Sequence, residues 1–172
     1  MSTTLVFNFI SVDKPGIVER ISNTVSEHGG NWLESRMSQL AGHFTGITRV
    51  QTDRDRIEIL RQALTSLNND DLTITILPDL SSPIQLADRQ LQLTLIGGDR
   101  PGIVRELTRA LAARNINVIE MDTNVTSAPM TAEPLFQATA TISVPSSQDM
   151  NELSDTFDEI ANDLAVDINM ED

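Results

Sequence analysis

The hexapeptide Asp13-Lys14-Pro15-Gly16-Ile17-Val18 recurs as Asp99-Arg100-Pro101-Gly102-Ile103-Val104, 86 residues later and half a chain length away. A repeat on that scale restricts the chain to folds that use one unit of about 80 residues twice, near the lower size at which a domain buries a stable core. The register extends beyond the motif. Leu5, Phe7 and Phe9 fall on Leu91, Leu93 and Leu95, Ile21 on Leu107, Val25 on Leu111, and Asn31 and Glu34 on Asn117 and Glu120. It then slips by six residues, placing Phe44 with Phe136 and Val50 with Ile142, so the second copy carries an insertion.

Within each copy, hydrophobic periodicity sets the order of elements. Residues 4–10 alternate about Leu5, Phe7 and Phe9, which predicts a strand with one strongly buried face. The Asp-x-Pro-Gly turn launches a helix, with Pro15 near its first position, where the missing N–H costs nothing. Ile17, Ile21 and Val25 form its apolar stripe, and Gly29 and Gly30 end it. Trp32–Leu40 and Phe44–Thr52 predict a hairpin around Ala41-Gly42-His43, with Trp32 a core or interface strand residue. A helix capped by Asp53 or Asp55 carries Ile57, Leu60, Leu64 and Leu67, and Leu72–Ile76 forms the last strand. The second copy repeats this as strand 90–96, helix 101–114, strands 116–127 and 135–144, helix 147–163 and strand 165–170. Residues 127–134, with two prolines, read as a longer hairpin loop.

The order β-α-β-β-α-β, twice, predicts an α+β protein of two ferredoxin-like units, each a four-stranded antiparallel sheet with both helices on one face. The expected boundaries are 1–78 and 89–172, with a Pro- and Ser-containing linker at 79–88. Val6 and Ile10 make the other face of the first strand partly apolar, which favours the sheet joining another surface. The two copies of one chain, or two chains as a homodimer, satisfy that expectation.

Charge and composition narrow the function. The net charge is −13, and from Asn115 onward there are twelve acids and neither Lys nor Arg, which repels a phosphate backbone. Direct nucleic-acid binding is therefore not expected. There is no apolar run near the roughly 20 residues of a membrane span and no signal-type N-terminus, so a soluble cytoplasmic protein is expected. Zero cysteines exclude disulfides and thiol catalysis. His28 and His43 lack partners at metal-ligand spacing, and the glycines near Gly102 lack the Lys-Ser or Lys-Thr of a phosphate loop. No serine sits in a nucleophile elbow. Neither catalysis nor a cofactor is expected.

The motif, the strand order and the small-x-Asn opening of the next strand (Gly29-Gly30-Asn31; Asn115-Ile116-Asn117) resemble the ACT domain, a sensing module of amino-acid metabolism. The free-standing tandem pair resembles the glycine cleavage system transcriptional repressor family. The resemblance implies that an amino acid binds where the loop after the first strand meets a neighbouring domain. Carried over by position, its residues are Ser11, Asp13, Pro15, Gly16, Ile17, Val18 and Asn31, and in the second copy Asp99, Pro101, Gly102, Ile103, Val104 and Asn117. Where amino-acid-binding relatives place a His and an Asn before Pro-Gly, this chain has Ser11 with Asp13, and Gly97 with Asp99.

Chemistry fits those positions. N–H groups at the helix start around Gly16 and Ile17 suit a carboxylate, and Asp13 with the Asn31 amide oxygen suits an ammonium. Equally, Asp13 and Asp99 serve as helix caps and Asn31 and Asn117 turn the chain into a strand. Three functions follow. One is a sensor of glycine or serine that controls a protein partner, by resemblance a transcription activator. The others are an allosteric subunit of an amino-acid metabolic enzyme and a dimerisation module with degenerate sites.

Overall fold

The computed structural model describes residues 1–78 and 89–171, so the predicted linker lies outside the described residues. The chain divides into two compact units. In the first, β1 (Ser2–Val12), α1 (Ile17–Glu27), β2 (Asn31–Leu40), β3 (His43–Asp53), α2 (Ile57–Thr65) and β4 (Leu72–Leu77) follow in the predicted order. The second contains β5 (Arg89–Gly98), α3 (Ile103–Ala112), β6 (Asn117–Ser127), β7 (Pro134–Val144), α4 (Met150–Leu164) and β8 (Val166–Glu171). The sheets run β2-β3-β1-β4 and β6-β7-β5-β8, with every described strand pair antiparallel. This is the ferredoxin-like arrangement, made twice. No helix among the described residues is long and apolar enough to cross a membrane.

Alternation along β1 decides which face is covered. Leu5, Phe7 and Phe9 are buried and join Ile17, Ile21 and Val25 of α1 and Leu60 and Leu64 of α2 in one core. Trp32 packs edge-on to Phe7, with centroids 6.3 Å apart at 89°. In the second unit Leu91, Leu93 and Leu95 meet Ile103, Leu107 and Leu111 of α3 and Leu153, Phe157 and Ile160 of α4. Burying each such side chain contributes about 1.5–3 kcal/mol of transfer free energy. The acidic α4 is thus anchored by a full apolar stripe.

The slipped register also appears as strand pairing. Leu5 faces Val50 and Leu91 faces Ile142, while Ser11 faces Phe44 and Gly97 faces Phe136. The six extra residues form the end of the β6–β7 hairpin, closed by Ala128 N–H to the Glu133 carbonyl at 2.8 Å. A bulge at Leu33 recurs at Ile119.

Three local expectations need correction. Both first helices begin two residues after the proline, at Ile17 and Ile103, with Gly16 and Gly102 as left-handed N-caps at φ 92° and 89°. Asp13 and Asp99 therefore do not cap them. Neither Asp53 nor Asp55 caps α2, whose N-cap is Arg56 without a side-chain bond. In contrast, Asp149 caps α4 by accepting from the Asn151 and Glu152 N–H groups.

The first hairpin closes on two residues with positive φ, Ala41 at 50° and Gly42 at 79°, between paired Leu40 and His43. This is the I′ pattern, which strains an alanine and suits asparagine. Ala41→Asn is expected to stabilise the first unit by about 0.5–1 kcal/mol, read as a higher urea midpoint at unchanged slope.

Candidate functional site

In the first unit the turn between β1 and α1 is held from two sides. Asp13 N–H donates to the Gly42 carbonyl at 2.9 Å, tying it to the β2–β3 hairpin, and Val12 N–H donates to the Asp71 carbonyl at 3.0 Å, tying it to the turn before β4. The chain's only lysine, Lys14, adds an ion pair with Asp71 at 2.6 Å, both groups about half exposed. The turn is thus fixed to two neighbouring elements.

Against it lies an open cleft of about 490 Å3, lined by Asp13, Lys14, Pro15, Gly16, Ile17, Val18, Glu19 and Phe44. The first helical bond back to the N-cap runs from Arg20 N–H to the Gly16 carbonyl at 3.0 Å. The N–H groups of the preceding turn have no intrahelical acceptor, which favours an anionic group at that end. Lys14 supplies a cation, and Asp13 and Glu19 supply anions, so the cleft presents both signs of charge. Phe44 gives it an apolar wall. Glu19 and Phe44 also line the cleft, outside the loop positions expected from the sequence; the signal for Phe44 is its cross-strand pairing with Ser11.

The predicted positions differ in burial and in distance from the cleft. Ser11 is a buried strand residue whose hydroxyl donates to the Phe44 carbonyl at 3.4 Å. Ile17 and Ile103 are buried core residues, whereas Val18 and Val104 are exposed. Asn31 pairs with Gln51, eight residues along β3 from His43 at the loop end of the sheet, which at about 3.3 Å per residue is roughly 26 Å away. Asn117, opposite Ser143, is as remote from Asp99, whose N–H bonds the Pro134 carbonyl. One unit does not bring its Asn and its loop to a shared ligand.

A family model of the ACT domain matches residues 3–76 and again 89–171. The chain belongs to the ACT-domain family. It is 23% identical over 161 residues to the glycine cleavage system transcriptional repressor of Escherichia coli (strain K12), covering 93% of this chain and 85% of that protein. Its fold resembles the crystal structure of a protein of unknown role from Galdieria sulphuraria, with TM-score 0.85 and 25% identity over 99% of this chain and 98% of that one. A crystal structure described as a candidate glycine cleavage system transcriptional repressor gives TM-score 0.73 at 17% identity, over 99% of this chain and 97% of that one.

The second ACT loop keeps the backbone of the first and changes its surroundings. Arg100 bonds Glu106 at 2.6 Å and the Leu164 carbonyl at 3.4 Å. Their hydrogen bond raises the Arg100 pKa and lowers that of Glu106. Gly97, which replaces Ser11, is explained by packing: a Cβ there would lie 2.4 Å from Val166 Cγ1.

Proposed function

We propose that this ACT-domain protein is a non-catalytic regulator of the glycine cleavage repressor type. It binds a small amino acid, glycine or serine, in the first-unit cleft, and occupancy alters its hold on a protein partner. That partner is a transcription activator that contacts DNA itself, and the protein acts in the cytoplasm. The carrying observation is the cleft built on the ACT turn, which offers Lys14 and free helix N–H groups to a carboxylate and Asp13 and Glu19 to an ammonium. The acid-only stretch after Asn115 supports delegation of the DNA contact. Ligand shifts the partnership by its differential affinity for the two states, typically about 1–3 kcal/mol.

Calorimetric titration with glycine and serine tests this reading. The parent is expected to bind one of them, and Asp13→Ala and Gly16→Ala to weaken binding at least about tenfold, or 1.4 kcal/mol. A Cβ at Gly16 meets nothing within 4 Å, so that variant probes the strained turn without a packing clash. No heat from either amino acid, or folded variants that bind as the parent does, overturns the proposal.

A further inference from the structure

The two motifs are followed by the same two charged residues in opposite order: Glu19-Arg20 after Ile17-Val18, and Arg105-Glu106 after Ile103-Val104. The inversion leaves net charge untouched but redistributes it around each turn. In the first unit, Arg20 reaches the end of α2 and donates to the Leu67 carbonyl at 3.0 Å. Lys14 is thereby left to the half-exposed pair with Asp71, a bond that a competing carboxylate displaces at little cost. Glu19 lines the cleft, and the space in front of Gly16 is open, with no atom within 4 Å of where a Cβ would stand.

In the second unit these contacts are redistributed. Glu106, at the place of Arg20, holds Arg100 at 2.6 Å, and Arg100 takes over the helix-end role by reaching the Leu164 carbonyl. Arg105, at the place of Glu19, lays its guanidinium over the glycine: a Cβ at Gly102 would be 3.4 Å from its Nη2 and 3.9 Å from its Cζ and Nε. The approach that glycine keeps open in the first turn is filled by a side chain in the second. The turn's own cation is held by two acceptors in a less exposed pair, 39% and 36% against 52% and 53% for Lys14 and Asp71, where Lys14 has Asp71 alone.

Resting on the amino-acid-binding reading above, we propose that the order of this charged pair decides which repeat takes a ligand, so that each chain binds one amino acid, at the first turn. Glu19-Arg20 keeps the first turn open and frees Lys14 to meet the ligand carboxylate. Arg105-Glu106 closes the second turn.

The test is calorimetric stoichiometry with glycine or serine, whichever binds tighter, on the full chain. The parent is expected to take one ligand per chain, and Lys14→Gln to weaken binding tenfold or more while Arg100→Gln leaves it unchanged. The double variant Arg105→Glu/Glu106→Arg, which gives the second turn the order of the first, is expected to raise the stoichiometry from one to two. The reciprocal Glu19→Arg/Arg20→Glu is expected to abolish binding, with far-UV circular dichroism confirming the fold. Two ligands per parent chain, or one ligand lost on Arg100→Gln and kept on Lys14→Gln, overturns this inference while leaving amino-acid binding intact. An unchanged stoichiometry in a folded Arg105→Glu/Glu106→Arg variant also overturns it. No binding by the parent overturns the underlying reading itself.

Discussion

Gly97→Ser, which installs in the second repeat the residue of the first, is expected to destabilise the second unit by about 3 kcal/mol. Gly97 pairs with Val166 on β8, and an ideal Cβ would sit 2.4 Å from Val166 Cγ1, 3.0 Å from its Cβ and 3.3 Å from its Cα. All three atoms belong to one stiff β-branched residue at the strand's first position, and side-chain rotation moves only the first of them. Ser11 escapes the conflict because it faces Leu72, which branches one atom further out. Thermal unfolding followed by circular dichroism is expected to show a midpoint lower by roughly 10 °C or more. Val166→Ala in the Gly97→Ser background removes the closest contact and is expected to recover part of the loss. A Gly97→Ser protein as stable as its parent would show that β5 and β8 do not pack this way.

The second large effect is at Gly46. A Cβ there would lie 2.7 Å from Phe9 Cε1, 2.9 Å from its Cζ and 2.8 Å from Met37 Cγ. Phe9 is fully buried and packs at a 52° tilt against Phe44 with centroids 5.6 Å apart, so its ring has nowhere to go. Gly46→Ala is expected to cost about 2–3 kcal/mol by overpacking. Phe9→Leu alone is expected to cost about 1–2 kcal/mol through the cavity it leaves. The second unit has already made the exchange: Leu95 faces Ala138 where Phe9 faces Gly46. The combined Phe9→Leu/Gly46→Ala variant should therefore be more stable than the sum of the single losses by at least about 1 kcal/mol, measured as a double-mutant cycle in urea. Strict additivity would sink the idea that these two positions share one volume.

Both cases mark where sequence reading stops. The substitution of Ser11 by Gly97 reads as divergence of a ligand site, yet its cause is a methyl group on a strand 69 residues further along the chain. Asn31 reads as a partner of Asp13 because both recur, but register along β3 puts them at opposite ends of the sheet. The aspartates of the turn read as caps because Asp is a common cap residue. The structure instead puts the left-handed glycine at the cap and holds Asp13 three residues before it, its N–H bonded to the hairpin carbonyl of Gly42.

The sequence by itself determined the duplication, the β-α-β-β-α-β order, the buried stripes and the place of the ACT turn. All of these are written in short-range spacing, where a period of two or of three to four selects the element and its buried face. Only the tertiary structure decided which residues meet across strands, and so why Gly97 and Gly46 are glycines and what surrounds each turn. The inverted pair, Glu19-Arg20 against Arg105-Glu106, is visible in the sequence as a trivial exchange. It acquires meaning when the fold sets one arginine at the end of α2 and the other over a glycine, because a charge acts on whatever stands within a few ångströms of it, not on its neighbours in the chain.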